Sequence, residues 1–242
     1  PARPFQCPPQ PFMAIRFATA GTVPLSQYDV LTIGNAIVDI IARTEDDFLV
    51  ANGIIKGAMN LIDGERAELL YARMGPAVEA SGGSAGNTAA GVASLGGRSA
   101  YFGKVSNDHL GAIYTHDIRA QGVAFDTSPL EGLPPTARSM IFVTPDGERS
   151  MNTYLGAGAD FGPVDLDEEV VRESGYLFLE GYLFDKDHGK AAFHKAAAAC
   201  HAGGGKAGVA LSDPFCVDRH RNDFRRLVRD EMDYVIGNER EW

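Results

Sequence analysis

The chain has 242 residues, 45% of them hydrophobic and 22% charged, which is enough apolar material for one substantial core. Its net charge of −10 argues against a nucleic-acid binder, whose phosphate partner needs a basic face, and no apolar run approaches the roughly 20 residues of a membrane span. Three cysteines, Cys7, Cys200 and Cys216, have no metal-ligand spacing and read as the reduced thiols of a cytoplasmic protein. Five prolines fall within residues 1–11 and no methionine precedes Met13, so a natural start is expected there. Residues 1–27 read as a poorly ordered extension without signal-peptide character.

Residues 28–34 form an apolar run ending in glycine, the pattern of a buried strand. Residues 35–42 continue extended, with Asp39 interrupting isoleucines and a valine. A short helix is expected over 45–52 and a strand over 58–62. Asp63 then caps a helix running to about Met74. A strand-like approach over 77–80 enters a glycine pair, and a helical pattern occupies 88–95. A strand over 99–104 and a helix over 108–121 follow. Two strands, 136–144 and 149–155, flank the turn signal Pro145-Asp146-Gly147-Glu148. From Asp165 strand and helix alternate, with strands at 176–181, 206–211 and 234–237 and helices near 186–202 and 218–229. Alternating units of this kind predict an α/β fold with a mostly parallel central sheet flanked by helices on both faces. The antiparallel pieces do not fit that sheet and predict a separate small β-sheet lid.

The richest stretch is Ser81-Gly82-Gly83-Ser84-Ala85-Gly86-Asn87. Glycines let the backbone turn sharply and approach a ligand that a Cβ would block, and a helix start offers free N–H donors. Asn87 adds a side-chain donor and acceptor to the same mouth. That combination suits a polyhydroxylated ligand or an anion; an ordinary turn at Gly82 and Gly83 and a helix cap at Asn87 are the plainer readings. Asp39 is costly among apolar neighbours unless donors such as sugar hydroxyls satisfy it; otherwise it is a solvated aspartate at a sheet edge. A dinucleotide site is argued against, because G-x-G-x-x-G and a ribose-reading acid are both missing.

The glycine-rich stretch resembles the first signature of the ribokinase and adenosine kinase superfamily, the PfkB-type carbohydrate kinases. The resemblance continues through Leu95-Gly96-Gly97-Arg98 and Tyr101-Phe102-Gly103-Lys104-Val105-Ser106-Asn107-Asp108-His109-Leu110-Gly111, with serine at 106 where the family usually has glycine. It implies a ribokinase-like fold over residues 28–242, with lid strands near 36–43, 57–62 and 137–155. It also implies ATP and magnesium as cofactors, and phosphorylation of a primary hydroxyl. Gly34-Asn35…Asp39-Ile40 resembles the segment whose aspartate grips the sugar diol, giving Asn35, Asp39, Gly82, Gly83 and Asn87 as substrate-binding residues. Arg149 resembles an arginine that lies over the transferred phosphate, although a surface arginine on a hairpin reads equally well. Asn238-Glu239-Arg240-Glu241 fits the family's N-x-x-E motif, in which Asn238 and Glu241 organise magnesium through water; a solvated acidic turn is the alternative.

The run Gly156-Ala157-Gly158-Ala159-Asp160 is similar to the family's G-A-G-D motif but carries an extra alanine and precedes N-x-x-E, so Asp160 is rejected as the general base. The base is expected beyond Trp242, which makes this chain the inactive N-terminal two-thirds of a kinase. Adenosine kinase-like features at 34–40 and 56–61 favour a nucleoside acceptor, with ribose or fructose next. A non-catalytic sugar- or nucleoside-binding module, or a homodimer joined through lid edge strands, are the readings from another class.

Overall fold

A computed structural model describes residues 26–242. The expectations for Cys7, for the start at Met13 and for most of the 1–27 extension therefore lie outside the described residues.

The strands are β1 (Tyr28–Ile33), β2 (Ile37–Arg43), β3 (Met59–Leu61), β4 (Ala77–Gly82), β5 (Ser99–Phe102), β6 (Val123–Ala124), β7 (Ala137–Val143), β8 (Arg149–Tyr154), β9 (Ser174–Glu180), β10 (Lys206–Ala210) and β11 (Tyr234–Ile236). The helices are α1 (Asp46–Ala51), α2 (Gly64–Arg73), α3 (Ser84–Ser94), α4 (His109–Ala120), α5 (Glu168–Arg172), α6 (Asp187–Ala202) and α7 (Pro214–Glu231). Six strands make a wholly parallel sheet in the order β11-β10-β9-β1-β5-β6. Parallel strands covered on both faces are mostly apolar, and Leu31, Ile33, Leu177, Leu179 and Val209 are all fully buried, while buried Thr32 donates to Ala85 O. One face packs on Phe193, Ala196 and Cys200 of α6. The other carries Ala85 and Ala89 of α3, with Tyr114 and Ile118 of α4.

The second sheet is mixed and five-stranded, in the order β3-β8-β7-β2-β4. Side chains alternate across it. Val38, Ile40, Met140 and Phe142 point into a core shared with Leu49 of α1 and Leu70 of α2. Asp39, Ser139 and Thr153 lie on the opposite face. They form one register row, since Asp39 pairs with Ser139 and Ser139 with Thr153.

Several elements differ from the sequence expectation for identifiable reasons. The second sheet includes β4 as an edge strand, paired antiparallel with β2. Its exposed Val78 and half-buried Glu79 give no apolar alternation to read. Helix α3 begins at Ser84, four residues before the helical pattern, because a carboxylate from β9 accepts its second backbone N–H. Helix α7 begins at Pro214, with Asp213 accepting from Cys216 N at 2.6 Å and proline at its first position. Residues Gly156–Asp160 form a 3-10 turn that leaves Asp160 exposed.

Beneath the junction of the two sheets, buried Tyr101 donates its hydroxyl to Gly34 O at 2.8 Å. Tyr101→Phe leaves that carbonyl without its donor. It should cost about 1–2 kcal/mol, read as a lower urea midpoint; an unchanged midpoint would mean the carbonyl is satisfied otherwise.

Candidate functional site

In the parallel sheet β1 lies between β9 and β5, so the chain winds outward in opposite directions from it. In such sheets the crevice for a ligand opens beyond the carboxyl ends of the strands at that reversal. Here β1 ends at Ile33, β9 ends at Glu180, and the second sheet departs from the same place. A cleft of about 270 Å³ fills the angle between the sheets.

Its narrowest part is set by the glycine pair. A Cβ on Gly82 would lie 2.4 Å from the Asp39 carboxyl carbon, so the carboxylate rests directly over that peptide. Gly83 has φ +83, and a Cβ there would lie 2.3 Å from Asn35 O. Any other residue would force β2 and the start of α3 apart. Gly83 also takes the position before α3, and Asn87 stands exposed in the helix's first turn.

Asp39 is the chemically unusual group. Burial pushes its carboxyl up to about 6, with the Arg149 charge opposing. No donor among the described residues satisfies it. Asn35 is buried, and its side-chain amide donates to Glu180 Oε1 at 2.8 Å, which leaves Oδ1 for the cleft. Ser139 and Thr153 sit beside Asp39 with their hydroxyls 2.8 Å apart. The next row toward the rim is apolar: Met59, Met151 and Ile141 stand side by side in register, and Leu61 and Leu155 also line the wall. Asp185 closes the far side. Burial pushes its carboxyl up, but hydrogen bonds from Arg219 and His220 outweigh burial and hold it below its usual value.

Of the residues singled out in the sequence, Asn35, Asp39, Gly83, Asn87 and Arg149 line this one cleft and Gly82 forms its floor under Asp39. Asn238 and Glu241 do not line it. They follow β11 and bond to each other, with Asn238 Nδ2 donating to Glu241 Oε1 at 2.6 Å and Asn238 N to Oε2 at 3.1 Å. Sequence reasoning missed Glu180, Ser139 and Thr153. An acid closing the apolar run Leu177-Phe178-Leu179 before Gly181 was a readable signal for the first. The two hydroxyl residues needed the strand register.

Two larger grooves, of about 580 and 830 Å³, flank the segment around Asp126. Several of their charged groups are paired internally. Asp165 pairs with Lys104, Asp108 caps α4 and holds Thr136, and Arg119 holds Phe125 O and Asp126.

A profile described as pfkB family carbohydrate kinase matches residues 29–242. The structure is similar to that of adenosine kinase from Sinorhizobium meliloti, at 66% identity and a TM-score of 0.82, over 88% of this chain and 66% of that one. It is also similar to a probable sugar kinase protein from Rhizobium etli CFN 42, at 59% identity and a TM-score of 0.83, over 89% of this chain and 66% of that one. Probable fructokinase-6, chloroplastic, of Arabidopsis thaliana is 30% identical over 139 residues, 56% of this chain and 35% of that protein. The chain thus spans about a third of the length of the curated relatives it matches and 66% of the two solved ones.

Proposed function

The chain belongs to the pfkB family of carbohydrate kinases, and from that premise we propose that the whole protein transfers phosphate from ATP to a primary hydroxyl of a nucleoside of the adenosine type. The single observation that carries the nucleoside choice is the division of the second sheet's cleft face into two rows. Asp39, Ser139 and Thr153 make a polar row, and Ile141, Met151 and Met59 an apolar one beside it. A pentose with a planar base has matching polar and apolar halves; a free sugar has nothing to lay on the second row. The adenosine kinase similarity at 66% identity points the same way.

In this reading the Asp39 carboxylate accepts from both hydroxyls of a vicinal diol, and the pentose lies over the Gly82–Gly83 backbone. Asn35 Oδ1 and the Asn87 amide supply the remaining polar contacts. Arg149, at the cleft edge, stabilises the phosphate in flight, where charge held in a water-poor site counts most. Positioning and electrostatics then provide most of the acceleration. The carboxylates lining the cleft are all committed: Asp39 to the diol, Glu180 to internal donors, and Asp185 to Arg219 and His220. We therefore assign no general base among them, and Asp160 is exposed outside the cleft.

Magnesium prefers oxygen donors and keeps much of its water. Among the described residues no group of three or more His, Cys, Asp or Glu could cage a metal directly. Asn238 and Glu241 set amide and carboxylate oxygens in a single turn, each already accepting an N–H from that turn, so a metal ion would meet them only through its bound water on the remaining lone pairs. When bound there, the ion would offset phosphate charge.

A second reading, a kinase for a free sugar, is favoured by the fructokinase and probable sugar kinase similarities. Titration calorimetry with adenosine, inosine, ribose and fructose separates the two. Adenosine should bind at least about tenfold more tightly than ribose, the worth of roughly one buried apolar contact surface. Heat with the free sugars alone would overturn the nucleoside assignment.

A further inference from the structure

We infer that Glu180 is a positioning residue that fixes the two walls of the cradle in place without itself contacting the acceptor; the inference rests on reading the cleft as the acceptor site. Glu180 ends β9 and is 1% exposed. Its Oε1 accepts from Asn35 N at 3.1 Å and Asn35 Nδ2 at 2.8 Å. Its Oε2 accepts from Ser84 Oγ at 2.6 Å and Ala85 N at 2.9 Å. An ionised carboxylate offers about four lone-pair positions, so these donors use its capacity in full. A sugar hydroxyl arriving in the cleft finds no free acceptor on it.

A buried charge persists only where hydrogen bonds or opposite charge replace its lost water. Here the replacement is a set of donors on two different segments, 145 and 95 residues away in sequence. One segment is the link from β1 to β2, which carries Asp39 into the cleft. The other is the turn from β4 into α3, which carries Gly82, Gly83 and Asn87. The α3 amino terminus adds the positive end of its dipole to the same oxygen. From below, Tyr101 holds Gly34 O and Tyr114 holds Gly82 O, at 2.8 and 3.3 Å. Glu180 thus ties together the two segments whose close approach, Gly83 against Asn35 O, sets the width of the cradle.

Glu180→Gln tests this in the full chain. The amide keeps the shape but turns an NH2 toward one pair of donors, leaving two of the four unpaired. Loss of hydrogen bonds to a charged acceptor should weaken adenosine binding by about 10- to 100-fold in calorimetry. The loss should be equal for 2′-deoxy- and 3′-deoxyadenosine, because Glu180 reads no hydroxyl. Amide hydrogen exchange at Asn35 and Ala85 should quicken by about tenfold or more, while the β1 and β9 amides stay protected. Unchanged exchange at both amides would overturn the inference, and so would a loss that disappears for one deoxy analogue. Should Glu180→Gln fail to fold, Ser84→Ala keeps the charge and removes one donor. It should give about a three- to tenfold loss with faster Ala85 exchange; no change in either measurement would equally overturn the inference. If the wild-type chain binds no nucleoside, the functional reading fails on its own, and the exchange measurement still decides the role of Glu180.

Discussion

Replacing Asp39 by asparagine should make the protein more stable and, at the same time, a poor binder. Asp39 is charged in a place where burial disfavours charge, and no hydrogen-bond donor among the described residues relieves it. Its folded-state value of about 6 lies above the unfolded 3.8, so the native chain holds the extra proton between those limits. Stability therefore falls as pH rises across that window, and the penalty is complete above about 6. Asparagine removes the penalty. Allowing for the open side of the cleft, the gain at pH 7 should be about 1–2 kcal/mol, or roughly 2–6 °C in thermal midpoint for a chain of this size. The same substitution replaces charge-assisted acceptance of two hydroxyls by neutral acceptance, which should weaken adenosine about 100-fold. In the wild type, affinity should decline as pH falls through about 6, where the carboxyl takes up its proton. A variant that is less stable and still binds would show that Asp39 is a structural residue with partners of its own.

Gly83→Ala should be among the more damaging small substitutions in the described residues. The residue has φ +83 with ψ 145, a region that side chains other than glycine rarely enter. The added methyl would also sit 2.3 Å from the Asn35 carbonyl, a backbone atom that cannot swing aside. Together the strain and the clash should cost at least about 3 kcal/mol, visible as a large drop in denaturant midpoint, and should abolish adenosine binding. Gly82→Ala makes an instructive contrast. Its methyl would meet the Asp39 carboxylate, a side chain that can rotate away. Binding should fall at least about tenfold with a stability change under about 1 kcal/mol. Wild-type stability and affinity in Gly83→Ala would mean the glycine pair is an ordinary turn.

Much of the cradle is legible in the chain because its residues break local rules. An aspartate inside Ile37-Val38-Asp39-Ile40-Ile41 and paired glycines before a helix have no local justification, so a ligand is the natural explanation. Alternating strand and helix likewise carry the parallel sheet. What escapes local reading depends on partners far away. The early start of α3 is licensed by Glu180, 95 residues on. The polar row needs β7 beside β2 and β8 beside β7, and no single segment encodes that order. The start of α7 is a different case: Asp213-Pro214 is a local cap signal that the apolar pattern downstream had obscured. For Asn238 and Glu241 the motif is readable, but their place outside the cleft lining follows from where β11 sits in the sheet.

The most direct test is a cycle of four titrations: adenosine and 2′-deoxyadenosine, each against wild type and Asp39→Asn. If the carboxylate holds the diol, the wild type should lose about 10- to 100-fold on removal of the 2′-hydroxyl, and Asp39→Asn no more than about threefold. An equal loss in both proteins would place the diol away from Asp39 and contradict the account.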